Sequence, residues 1–261
     1  MLIVIDIGNT NIVVGIYKSN SLKDFFRIST RHNITSDEVG FFINSWLDKI
    51  KIANDEIDSV IISSVVPPLT TTFETAAKRH LGCIATVVSS KINLPISIAI
   101  NRPEQVGADR IANAVAGYKK YRGPVIIVDF GTATNFDIVN DKGAYIGGVL
   151  APGPETSMAE LAKKAARLFE VCIEPPETVV GKSTAGALKS GLFYGTVGQV
   201  DYIIDKIIEE TGFTDCKIIA TGGFASGIEK YSRYINIIEP TLTLEGLRLI
   251  SEFSRSGALR S

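Results

Sequence analysis

The chain writes one phrase twice. Residues 3–11 read IVIDIGNTN and residues 126–136 read IIVDFGTATNF. Each copy is an apolar, β-branched run, then an Asp, one apolar residue, a Gly and small polar residues. Such a run predicts a buried strand, and the Gly with its polar followers predicts the turn that ends it. A single copy is no more than a hairpin turn, since Asn and Gly favour turns anyway. Two copies, at Asp6 and Asp129, in a chain of 261 residues constrain the whole fold.

The elements around the two copies repeat in order. In the first half LIVID is followed by IVVGIY and a second polar turn, so the chain opens as a β-meander. Thr35 and Glu38 then have the spacing of a capping box ahead of the amphipathic stretch VGFFINSWLDKI. DSVIISSVV (58–66) reads as a buried strand stopped by Pro67 and Pro68, FETAAKRHL as a helix and IATVVS as a strand. In the second half VIIVDF, TNFDIV and AYIGGVLA form another meander. Residues 154–169 (PETSMAELAKKAARLF) and about 184–211 are helical, and CKIIATGG (216–223) is a strand ending in glycines. EPTLTLEGLRLISEF closes the chain as a helix whose apolar spacing fits core packing and a partner subunit equally. The repeated order points to a duplicated α/β unit. The boundary is expected near 115–122, giving domains 1–118 and 119–261.

Bulk properties remove several function classes. Hydrophobic residues make up 45% of the chain and charged residues 21%, the balance of an ordinary globular protein. Lys+Arg 27 against Asp+Glu 28 leaves a formal charge of −1, and no basic stripe supports nucleic-acid or membrane-surface binding. Cys83, Cys172 and Cys216 have no CxxC spacing, which argues against a disulfide framework or structural zinc and for a reducing compartment. His32 and His80 lie far apart, so a histidine metal site or triad has no support. The start lacks the basic region of a signal peptide, and no apolar run is long enough to span a membrane. A cytoplasmic location is expected.

The paired turns suggest phosphate chemistry. After Asp6 the turn can offer the backbone N–H groups of Gly8, Asn9 and Thr10 to phosphate oxygens. The carboxylate can hold a hydrated Mg²⁺ bridging those oxygens. A second copy, Asp129 to Thr134, would grip a nucleotide from the other side of a cleft. Other phosphate motifs fail. Residues 181–184 read GKST, but a P-loop needs a Gly where Pro176 stands, so Ser183 or Thr184 is expected near a helix N-cap instead. No G-x-G-x-x-G follows a strand. In VGADRIANA (106–114) two readings of Asp109 and Arg110 stand side by side. Asp109 is a first-turn acid favoured by the helix dipole, with Arg110 on the solvated face. Alternatively Asp109 takes a proton from a substrate hydroxyl while Arg110 holds an anionic group. GGVLAPG (147–153) and ATGGFASG (220–227) read as packing or turn glycines, or as flat walls for a base and ribose.

Taken in order, DIGNTN, VGADRI, DFGTATNFD, GGVLAPG, TGG and LTLEGL resemble the type III pantothenate kinases, over nearly the whole chain from Asp6 to about Arg248. The resemblance implies two duplicated actin-like (ribonuclease H-like) α/β domains, each a mixed sheet flanked by helices, with the nucleotide cleft between them. It implies a homodimer that transfers the ATP γ-phosphoryl group to the 4′-hydroxyl of pantothenate, the first step toward coenzyme A. Asp6, Ile7, Gly8, Asn9, Thr10, Asn11, Ile12 and Val13 would bind phosphate, with Asp6 on the Mg²⁺ side. Gly107, Ala108, Asp109 and Arg110 would contact pantothenate, with Asp109 as the general base. Asp129 would hold a monovalent cation, K⁺ or NH₄⁺. Thr132 would contact the nucleotide and Thr184 the pantothenate.

The chain departs from the family pattern at two places. The stretch before GADR, SIAINRPEQ, lacks the Tyr common there and has Ile100 at the corresponding pocket position. Asn135 stands where Thr is more usual. Two other functions remain compatible with the repeated motif: a different small-molecule kinase on the same fold, and a non-enzymatic ATP-gated regulator. Function resides in the site and not in the fold.

Overall fold

The repeated phrase folds into two equivalent hairpins, each within a sheet built on the same five-strand order. The computed structural model describes residues 1–165 and 167–258. In the first sheet β1 (Leu2–Ile7), β2 (Asn11–Lys18) and β3 (Ser21–Ser29) form the expected antiparallel meander. β4 (Ser59–Ser64) and β5 (Ala85–Val87) extend it in parallel on the other side of β1, giving the order β3-β2-β1-β4-β5. A two-residue strand, β6 (Ser97–Ile98), follows. In the second half β7 (Val125–Phe130), β8 (Ala133–Val139) and β9 (Ala144–Pro152) make the second meander. β10 (Lys217–Gly222) and β11 (Ile237–Ile238) run parallel beyond β7, so these strands lie in the order β9-β8-β7-β10-β11. The two orders and pairing directions match strand for strand.

Helices bury one stripe each. α1 (Ser36–Lys49) begins with the capping box read from the sequence: the Glu38 N–H donates to Thr35 Oγ1, and the Thr35 N–H donates to the Glu38 carboxylate. α2 (Pro67–Leu81) starts earlier than expected, at the prolines that stop β4. A fixed φ and a missing N–H suit a first helical turn, so the same residues end one element and open the next. α1 and α2 supply Ile43, Leu47, Leu69, Phe73 and Ala77 to a core shared with Ile3, Ile5, Ile7 and Ile62. α3 is Ala108–Tyr121. α4 (Pro154–Lys164) ends short of the expected residue 169. Pro154 and Met158, its buried residues, lie in its first two turns; residue 166 of the expected span lies outside the described residues. α5 (Thr184–Thr211) matches its expected span, capped by Ser183, whose Oγ accepts from the Gly186 N–H at 3.1 Å. It lays Phe193, Val200 and Ile204 on Ile126, Val128 and Phe136. A short helix, α6 (Ala225–Ile228), precedes β11.

The closing helix α7 (Leu242–Ala258) does not stay with the half in which it is written. The compact units are Met1–Ala116 together with Leu242–Ala258, and Gly117–Thr241, whereas the sequence suggested 1–118 and 119–261. Leu242, Leu244, Leu247 and Ile250 are buried, and Leu244 reaches Gly15 of β2. Thr243 Oγ1 donates to Asn113 Oδ1 of α3 at 2.8 Å. A Cβ on Gly246 would lie 1.9 Å from the Ala112 carbonyl oxygen, so glycine permits the two helix backbones to touch. Core packing therefore explains the apolar spacing of α7.

Candidate active site

In the first unit Asp6 sits one residue before the end of β1, half-buried, and the loop 8–10 returns the chain to β2. The Gly8 N–H donates to the Asn11 carbonyl at 3.0 Å. Of the three N–H groups expected to face a phosphate, that of Gly8 is thus committed inside the hairpin. A residue not flagged by the sequence fixes the loop: Thr30 donates through Oγ1 to the Gly8 carbonyl at 2.7 Å and through its N–H to the Thr10 carbonyl at 2.9 Å. Asn9, Thr10 and Asn11 are exposed, and Val13 is half-buried. Ile7 and Ile12 are 0% exposed, so here neither presents surface to a ligand.

The head of α3 lies at the same end of β1. The Val65 N–H donates to the Ile7 carbonyl at 3.0 Å, and Val65 is also the side chain that a Cβ on Gly107 would meet at 3.5 Å. Val65 therefore links the Gly107–Arg110 turn to the strand end beside Asp6. The stronger constraint on Gly107 is Asp109. A Cβ there would stand 2.4 Å from Asp109 Oδ1, so the glycine makes room for the carboxylate. That oxygen accepts from the Arg110 N–H at 2.8 Å. Burial pushes the Asp109 carboxyl above the ordinary carboxylate value, although the Arg110 N–H and guanidinium pull the other way. A carboxyl raised by desolvation is a candidate acid–base group. Ala108 is buried, while Arg110 and Ile100 are half-buried.

In the second unit Asp129 occupies the same position in β7, half-buried, and the Gly131 N–H donates to the Ala133 carbonyl at 3.0 Å. Thr132 is exposed at the tip, its carbonyl accepting from the Gly153 N–H at 3.1 Å and from Thr156 Oγ1 at 2.7 Å. A Cβ on Gly153 would be 2.3 Å from the Gly131 oxygen, and one on Gly222 would be 2.4 Å from the Phe130 oxygen. Gly222 also has φ +90°, a region that side chains rarely adopt. Between the two readings of the glycine-rich stretches, these two glycines take the packing one: they let backbone lie against the hairpin. Thr184 is exposed at the first residue of α5.

The strand ladders place further polar residues level with each aspartate. Asp6 faces Val13 on β2 and Ser63 on β4; Asp129 faces Asn135 on β8 and Thr221 on β10. Ser63 Oγ and Asn135 Oδ1 are shielded from solvent and have no hydrogen-bond partner, a condition that costs about 1–3 kcal/mol for a buried polar group. The sequence carried a signal for Ser63 and Thr221, since each interrupts an apolar strand. It carried none for Thr30 and Thr156, whose partners are distant carbonyls.

Comparison with known proteins gives consistent matches. A family model described as type III pantothenate kinase matches residues 2–206. The type III pantothenate kinase of Geobacter sulfurreducens is 46% identical over 255 residues, covering 98% of this chain and 100% of the relative. That of Finegoldia magna is 44% identical over 258 residues, covering 98% of each. Among solved structures, the ethanolamine utilization protein EutJ from Carboxydothermus hydrogenoformans is 13% identical with a TM-score of 0.57, covering 95% of this chain and 89% of that one. This last likeness is one of fold alone. No helix of the described residues is long and apolar enough to cross a membrane.

Proposed function

The chain belongs to the type III pantothenate kinases, and we propose that Asp109 is the base of the phosphoryl transfer it performs. The enzyme uses ATP to phosphorylate the 4′-hydroxyl of pantothenate, the first step of coenzyme A synthesis. The observation that carries the assignment of Asp109 is its setting. Its carboxylate is given room by Gly107, held by the Arg110 N–H and raised by burial above the usual carboxylate value.

Phosphoryl transfer passes through a loose transition state, so positioning and charge neutralisation dominate. Asp109 accepts the proton of the attacking hydroxyl, and its raised pKa brings its basicity closer to neutral pH, where proton transfer is most effective. Arg110 faces the substrate carboxylate, and the Gly107–Ala108 backbone, Ile100 and Thr184 contribute the remaining pantothenate contacts. The segment Asp6 to Val13 binds the ATP phosphates, with Asn9, Thr10 and Asn11 its exposed members, and Thr132 contacts the nucleotide. Asp6 with the unpartnered Ser63 hydroxyl is a hard-oxygen set that suits Mg²⁺, an ion bound by one or two carboxylates with its waters retained. Bound there, it supplies charge neutralisation on the phosphate oxygens. Asp129, level with the oxygens of Asn135 and Thr221, suits K⁺ or NH₄⁺. A homodimer and a cytoplasmic location complete the reading; the family resemblance supports the first, and three free cysteines the second.

The test is ADP release from Mg·ATP in K⁺ buffer with and without pantothenate, on the native enzyme and on Asp109→Asn. The native rate should rise by orders of magnitude with pantothenate. The variant should lose about 10²–10⁴-fold in turnover, or about 3–5 kcal/mol of barrier, with Mg·ATP binding kept. Native turnover should fall as pH drops through the raised Asp109 pKa. Stability should move the opposite way. A raised folded pKa means that Asp109 favours the fold when protonated, and that this contribution disappears as pH rises through the folded pKa. Asp109→Asn should therefore melt higher than the native enzyme at neutral pH, with the difference closing in acid. Near-normal turnover in the variant would remove Asp109 from the role of base.

A further inference from the structure

The starting point is the row of side chains across β8, β7 and β10, and the inference rests on the monovalent-cation reading of Asp129 given above. Asn135, Asp129 and Thr221 are register partners on three adjacent strands. Side chains level with one another on neighbouring strands point to the same face, so a carboxylate, an amide and a hydroxyl stand side by side. Thr221 is 3% exposed. Asn135 Oδ1 is closed off from solvent and accepts no hydrogen bond from the protein. An acceptor in that condition is destabilising unless something positive meets it.

The matching row in the first unit sharpens the point. There Val13, Asp6 and Ser63 occupy the same three places. The two rows share a carboxylate and a hydroxyl, and they differ where two methyl groups of Val13 are replaced by the Asn135 amide. The ions assigned to the two rows differ in the same direction. Mg²⁺ gives up water reluctantly and needs few protein oxygens. A K⁺ ion exchanges its hydration shell for several protein oxygens. A row with one more oxygen suits an ion that must be stripped of water.

We propose that the Asn135 side-chain oxygen, beside Thr221, is a direct ligand of the monovalent cation held at Asp129. The amide adds an acceptor without adding a second negative charge, so the site favours a singly charged cation over a divalent one. It also gives this chain its own version of a position where the family more usually has Thr.

The experiment is a thermal melt of the full chain in increasing KCl, with choline chloride holding ionic strength constant. The proteins are native, Asp129→Asn, Asn135→Leu and Asn135→Thr. The native melting temperature should rise with K⁺ and saturate, and Asp129→Asn should lose the response. Asn135→Leu should need at least 10-fold more K⁺ for half the rise. In choline alone it should melt no lower than native, because the unpaired oxygen is gone. Asn135→Thr, which keeps an oxygen on a shorter arm and serves if the leucine protein does not fold, should be weakened several-fold. If the Asn135 variants titrate like native while Asp129→Asn loses the response, the ligand assignment is overturned and the cation reading stands. If the native protein shows no K⁺-dependent shift, the cation reading itself fails and this inference with it.

Discussion

The two hairpins share a strand pairing, an Asp one residue before the strand end, and a Gly N–H that bonds back to a carbonyl of the turn at 3.0 Å. What secures them is different. The first is tied through one residue, Thr30, whose Oγ1 donates to the Gly8 carbonyl and whose N–H donates to the Thr10 carbonyl. The second is secured mainly by backbone, with Gly153 bonding to Thr132 and Gly223 to Phe130, and with Gly153 and Gly222 too close for any side chain. The duplicated geometry thus belongs to the ladder of strands, and each copy found its own means of holding the turn. A side-chain tie can be weakened by degrees, whereas backbone contact through glycine fails at the first added carbon.

The largest effects should come from neutralising each aspartate in turn. Asp6→Asn should lower turnover about 10²–10³-fold, as for loss of one preorganised charge contact, and added K⁺ should not restore it. Asp129→Asn should instead flatten the K⁺ dependence of the rate and leave the Mg²⁺ dependence in place. Steady-state rates in K⁺ and choline buffers at several Mg²⁺ levels decide this. If both variants lose the same ion response, the copies have not divided their labour.

Next in size is the backbone contact. Gly222→Ala forces a Cβ against the Phe130 carbonyl at a positive φ. It should destabilise by about 2–5 kcal/mol, combining overpacking with the left-handed penalty. Urea unfolding would measure it, and a loss under 1 kcal/mol would mean that the second hairpin is not held as described. The smallest effect is at the side-chain tie. Thr30→Ala should cost about 1 kcal/mol, the worth of one hydrogen bond, and raise the KM for Mg·ATP more than it lowers stability. An unchanged KM would separate Thr30 from the proposed phosphate-binding role of the 8–10 loop.

Much of the fold could be read directly because its signals are local. The capping box at Thr35 and Glu38, the Ser183 cap, the span of α5 and both meanders depend on residues a few positions apart, where periodicity and turn chemistry act. The end of α4 carries no such local signal: 154–169 has helical composition throughout, yet the helix stops at Lys164 and its buried residues, Pro154 and Met158, lie in its first turns. For the site, the sequence pointed to Asp6, Asp109 and Asp129 through their motifs. It could not say that Gly107 exists to admit the Asp109 carboxylate, or that Val65 brings that turn to the end of β1.

The duplicated strand–Asp–Gly phrase, the repeated order of elements and the family that these motifs resemble were legible from the residues alone. All are patterns written in consecutive residues. Packing decided that α7 joins the first unit, that Gly153 and Gly222 serve backbone contact, that burial raises Asp109, and that Thr221 stands level with Asp129. Each of these depends on chain segments far apart in sequence. Close approach, desolvation and register arise only when packing brings such segments together.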